Sequence, residues 1–207
     1  MKENNCQSPA VNYQSIYSLL GSCTPIDGDC GKLCSAACCS IDGKFDESLR
    51  DEDYVIEETE GEDELGIYLL PGEETVHDKS DPWLEWTEED AHTAGFPESW
   101  KGKVSFVKCH GPASCKRELR PIQCRTFPAA PYLSKDGNLQ IILYTDTLPY
   151  KCPLVYGNHR LNEDFLRATY SAWEQLIKDP RIFDLVMEDS RFRDECGNRL
   201  VKLYEPD

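Results

Sequence analysis

Eleven cysteines occur in 207 residues, and most fall in two groups. The first is CGKLCSAACC, with Cys30, Cys34, Cys38 and Cys39. The second lies far downstream in VKCHGPASCKRELRPIQCRTFP, with Cys109, Cys115 and Cys124, and Cys152 follows in LPYKCPLVYG. The opening residues, MKENNCQSPAVNYQ, lack the apolar core of a signal peptide, and no apolar run reaches the length of a membrane span. A cytoplasmic location is therefore the expectation. In that compartment thiols stay reduced, so cysteines bunched at short spacing read as metal ligands and not as a disulfide framework.

One short run rarely completes a tetrahedral shell, so the two groups would have to converge on the metal. If the first run is helical, Cys30, Cys34 and Cys38 share one face, and Cys39 points about 100° away from Cys38. Adjacent cysteines then serve two neighbouring centres, or one ligand and one packing thiol. An all-thiolate set selects zinc, copper(I) or an iron–sulfur cluster over magnesium or calcium. Thiolates around such a metal leave surplus negative charge. Lys108, Lys116, Arg117, Arg120 and Arg125 bring positive charge to the second group, in a chain whose net charge is −16. The competing explanation is a basic surface patch facing the acidic run. Arg125 directly follows a candidate ligand and could donate to a sulfur or form an ordinary salt bridge. His110, beside Cys109, could replace a thiolate, but a Cys109–His110 nucleophile is a poor prospect because strand neighbours point to opposite faces.

The elements that would position these residues read as mixed α and β. SPAVNYQSIYSLLGS suggests a short helix capped by Ser8, opened by Pro9 and stopped by Gly21, with Tyr13, Ile16, Tyr17 and Leu20 on one face. LGIYLLPG suggests a strand. DPWLEWTEEDAHTAGFPESWKGK reads as turns with a helical turn or two. KVSFVKC alternates as a strand ending on Cys109. PYLSKDGNLQIILYTDT reads as a β-hairpin about Asp136-Gly137. LNEDFLRATYSAWEQLIKD is an amphipathic helix burying Phe165, Leu166, Tyr170, Trp173 and Leu176 or Ile177, and Pro180 opens a second helix. The run from Asp46 to Gly66 is dense in carboxylates and reads as a solvated insertion.

CGKLCSAACC, taken with CHGPASCKRELRPIQCRTFP, resembles the cysteine-cluster family of zinc- or iron-chelating YkgJ-type proteins. That family carries a CxxCxxCC-like run, then a cysteine pair ahead of an Arg-Pro-x-x-Cys-Arg segment ending in an aromatic residue and proline. Cys34, Cys38, Cys39, Cys109, Cys115 and Cys124 match, with Cys30 and Cys152 as the remainder. The likeness spans about Cys30 to Cys152, less the acidic stretch. The first run departs from it, its gaps each being one residue longer. The resemblance implies metal binding without fixing the metal. One relative, flagellin lysine methylase, is an enzyme, so catalysis enters by analogy alone.

The expectation is thus a single α+β domain over 1–207, small, cysteine-rich and metal-centred, with a β-hairpin and two C-terminal helices. Its cysteine-cluster core would span about 23–157 with an acidic insertion at about 43–80, and its helical part about 160–196. The ligands would be Cys30, Cys34, Cys38, Cys39, Cys109, Cys115, Cys124 and Cys152, with Arg120 and Arg125 beside the bound group. A 4Fe-4S cluster ranks ahead of zinc. The expected role is redox or electron transfer. The alternatives are an iron–sulfur-dependent, methylase-like modifying enzyme, or a zinc-stabilised module docking a basic protein partner. So acidic a chain disfavours nucleic acid and anionic membranes.

Overall fold

The structure is a computed structural model that describes residues 11–39, 66–144, 148, 150–197 and 200–206. It is mixed α+β, with two three-stranded sheets and five α-helices among the described residues. Helix α1, Tyr13–Leu20, buries Tyr13, Ile16, Tyr17 and Leu20, the face its spacing predicts. Its cap is Asn12, which accepts from Ser15 N, so the expectation of a Ser8 cap is corrected. Gly21 ends the helix at φ 36°, where its missing side chain is needed.

The first sheet has order β1-β3-β2, all antiparallel, from β1 (Ile67–Tyr68), β2 (Leu84–Asp90) and β3 (Lys103–Cys109). β2 corrects the reading of turns across DPWLEWTEED. Its four carboxylates suit a strand poorly by propensity, yet it pairs with β3 along its whole length, from Leu84↔Cys109 to Asp90↔Lys103. Ile67, Leu84, Trp86, Val107 and Cys109 all belong to one face of this sheet, by register and two-residue alternation. That face forms a small core of its own with Leu69 and Trp83.

The second sheet, β4-β5-β6, comprises Ala129–Leu133, Leu139–Leu143 and Lys202–Tyr204. Helices α4 (Glu163–Leu176) and α5 (Pro180–Glu195) cover it and complete the main core around Phe165, Ile141, Leu176 and Ile182. Asp179 caps α5, accepting from Arg181 N. Two short helices, α2 (Ile122–Thr126) and α3 (Pro153–Tyr156), precede β4 and α4 in the chain. No helix among the described residues is long and apolar enough to cross a membrane.

The stretch from Ile67 to Val76, counted above in the acidic insertion, is built into the core. Leu69 and Leu70 are buried, and Glu73 is fully buried. Glu73 Oε1 accepts from Tyr17 O–H at 2.8 Å and from Ile122 N–H at 2.7 Å, and its Oε2 accepts from Leu70 N–H at 3.0 Å. One carboxylate therefore joins α1, the turn after β1 and the start of α2. Glu73→Gln puts an amide nitrogen against at least one of these buried donors, which should cost about 3 kcal/mol. Tyr17→Phe, which deletes one bond and keeps the ring, should cost about 1 kcal/mol. Urea unfolding of both variants checks this, and equal stability of Glu73→Gln and the parent would refute the role given to Glu73.

Candidate metal centre

Cys38, Cys109, Cys115 and Cys124 line one cavity of about 220 Å³. They arrive from three separate parts of the chain, and each is placed by a local cause. Cys109 ends β3 on the same sheet face as Val107, directly across from Leu84, so alternation turns its side chain to the cavity. Alternation also separates it from His110, which is exposed. The Cys109 thiol donates to the Gly111 carbonyl at 3.6 Å.

Cys115 receives a hydrogen bond from Arg120 Nε at 2.9 Å. Its thiol is pushed down to about 6, chiefly by the neighbouring Cys109 thiol and then by Arg120, against the opposing effect of burial. Arg120 holds extended backbone (φ −56°, ψ 139°), as expected of a residue before proline.

Cys124 is set by the residues around it in RPIQCRT. Pro121 precedes the first turn of α2, and Ile122 is buried with its N–H on Glu73. Gln123 Nε2 donates to the Tyr68 carbonyl in β1 at 3.0 Å. Arg125 donates to the carbonyls of Glu118 at 2.9 Å and Gly21 at 2.8 Å, and its guanidinium lies over the Tyr17 ring. Every neighbour of Cys124 is therefore anchored to a different element. Arg125 acts as a clamp between α2 and the end of α1, in place of the sulfur donor expected of it.

Cys38 lies in a 3₁₀ turn, Ala37–Cys39, beyond a separate 3₁₀ turn at Cys30–Leu33. Ser35 and Ala36 between them have positive φ, 52° and 57°. The expected continuous helix is thus broken, and Cys30, Cys34 and Cys38 form no common stripe. Left-handed backbone costs a non-glycine residue about 1–2 kcal/mol, so this segment holds a conformation its own residues disfavour. The Cys39 side chain and Cys6 lie outside the described residues.

Cys30 and Cys152 pack instead with the main core, and burial pushes both thiols up. Cys34, which closes the turn that begins at Cys30, is half-buried and is not among the residues lining the cavity. Asp29 caps that turn by accepting from Gly31 N–H at 3.1 Å, and it pairs with Arg117 at 2.9 Å. The backbone bond, then Arg117, holds the Asp29 carboxyl below the usual carboxylate range. Asp29–Arg117 is a direct tie between the two cysteine groups. Cys23 is half-buried and Cys196 exposed, and neither lines the cavity.

The basic cluster therefore divides by role. Arg120 faces a sulfur, Arg117 pairs with Asp29, Lys116 pairs with Asp81, and Arg125 clamps carbonyls. Two site features escaped the sequence reading. Tyr150 lines the cavity two residues before Cys152, and Trp83 and Phe127 wall it. Only the position of Tyr150 within LPYKCP, two residues before Cys152, could have pointed to it.

Among the described residues, no three His, Cys, Asp or Glu side chains form a group able to hold a single metal ion. Four thiols line the one cavity, and those of Cys109 and Cys115 are close enough to interact. Comparison with protein-family models, with curated proteins and with solved structures finds no match. The likeness to the cysteine-cluster family thus rests on the motif residues themselves.

The depressed Cys115 thiol has a direct readout. In metal-free protein, alkylation of Cys115 should reach half its maximal rate near pH 6, since the thiolate is the nucleophile. Arg120→Gln removes a donor to that thiolate and should move the half-point up by about one pH unit. Mass spectrometry of the alkylated peptide resolves this, and an unmoved half-point would exclude Arg120 as the cause.

Proposed function

We propose that the protein binds a cysteine-ligated metal cofactor in this cavity, an iron–sulfur cluster ahead of zinc, and that it works in redox or electron transfer. The observation that carries the reading is the convergence of Cys38, Cys109, Cys115 and Cys124, from three segments, on one cavity of about 220 Å³. A lone zinc draws its sulfurs to about 2.3 Å from a single point. A cavity of that volume lined by four thiols suits a bound group that itself has volume.

Cys38, Cys109, Cys115 and Cys124 would hold the group, and Arg120 would offset part of its negative charge. When bound, a cluster supplies a site for single electrons. Cys38 and Cys124 are exposed, which keeps such a centre close to the surface where a redox partner exchanges electrons. Cys30 and Cys152 pack with the main core and do not line the cavity. A methylase-like enzyme is the second reading, favoured by the apolar wall of Ile67, Trp83, Leu84, Val107 and Phe127, which gives a substrate room beside the sulfurs.

The test is iron, zinc and acid-labile sulfide content of protein purified without oxygen, with its absorption spectrum. Iron with sulfide and a broad visible band is the expected result. Cys115→Ser and Cys124→Ser should each lose more than half of that content, whereas Cys196→Ser, far from the cavity wall, should retain it. Stoichiometric zinc without colour would replace the redox reading with a structural module. Absence of any metal, or equal content in all three variants, would refute the assignment of ligands.

A further inference from the structure

We propose that Tyr150 is a positioning residue of this centre, its phenol donating a hydrogen bond to the bound group on the Cys38–Cys124 side of the cavity. The proposal rests on the metal-binding reading above.

The cavity wall carries its donors unevenly. Arg120 is committed to Cys115, and the Gln123 amide to the Tyr68 carbonyl. Tyr150 lines the cavity from elsewhere, on the segment that runs into Cys152 and α3.

Its placement is fixed from behind. The ring packs against the main core, and Phe127 meets it nearly edge-on at 6.5 Å. Two residues on, the Cys152 carbonyl accepts from Val155 N–H and Tyr156 N–H, both at 3.0 Å, which anchors the backbone. Cys38 and Cys124 line the same cavity as Tyr150.

A phenol keeps its proton at neutral pH, so toward a thiolate or a cluster sulfide it can only donate. Donation to sulfur stabilises the state with more negative charge, which is the reduced one. Arg120 at Cys115 and Tyr150 would then be two donors to the centre from separate segments of the lining.

Tyr150→Phe keeps the ring and its packing and removes the hydroxyl alone. The reconstituted variant should match the parent in iron and sulfide, yet its midpoint potential should fall. At a fixed potential the ratio of reduced to oxidised centre should drop about tenfold, equivalent to about 59 mV for one electron. An unmoved or raised potential at full iron content would overturn the role of Tyr150 and leave the metal reading intact. If Tyr150→Phe loads poorly, 3-fluorotyrosine at position 150, a stronger donor, should raise the potential, and no change would overturn the proposal. A parent protein that takes up no iron, or only zinc, would sink both together, and that outcome is distinguished by metal analysis before any titration.

Discussion

The buried Glu73 carboxylate is the point on which the other elements hang. Among the described residues no cation pairs with it; three donors from three elements satisfy it instead. Burial pushes its carboxyl up, and the N–H groups of Ile122 and Leu70 and the Tyr17 hydroxyl pull the other way. A group so placed is expensive to leave half-satisfied. The chain therefore has strong reason to bring α1, the turn after β1 and the start of α2 to one place. The network continues outward. The Tyr17 proton goes to Glu73, so at the 3.3 Å contact between Tyr17 and His77 the His77 Nε2 must carry the hydrogen and donate to the phenol oxygen. Burial holds the imidazole in its neutral form, with His77 ringed by Trp83 and Trp86.

That network matters for the cavity because it fixes a floor and a wall together. Trp83 belongs both to the His77 surround and to the cavity lining. Ile122, held by Glu73, places Cys124 two residues later on a one-and-a-half-turn helix. Five residues make too short a helix to be stable alone, so Cys124 owes its position to tertiary ties: Glu73 below, the Tyr68 carbonyl through Gln123, and Gly21 through Arg125. β3 brings Cys109 to the opposite wall by pleat alone. The cavity is thus a seam between two small cores, the Val107–Trp83 face of the first sheet and the Ile122-containing main core.

Elements with a strong period were legible in the sequence. The buried face of α1, strand β3 ending on Cys109, and the helices α4 and α5 all carry patterns long enough to override local ambiguity. β2 was not legible, since LEWTEED is too acidic to read as a strand and becomes one only through its pairing with β3. β6 is three residues long and is specified by its partner β5. The site was legible as a set of cysteines and not as a grouping. Spacing put Cys30, Cys34 and Cys38 on one helical face, but the left-handed pair Ser35–Ala36 breaks that helix and sends Cys38 to the cavity, apart from the other two. Nothing in the side chains of serine and alanine announces such a backbone. Arg125 shows the same limit, since its clamp joins residues more than a hundred positions apart.

The break at Ser35–Ala36 also bears on how the centre and the fold depend on each other. Residues 30–39 have no long helix, no strand and little buried surface, and Leu33 is exposed. Cys30 packs on the main core, and the ion pair Asp29–Arg117 ties this segment to the second group. Both partners of that pair are more than a third exposed, and such a pair contributes at most about 1 kcal/mol. Two consecutive left-handed residues cost more than that. On the metal-binding reading proposed above, a metal–thiolate bond through Cys38 would add to these ties, and binding of the group would help to order the first cysteine run.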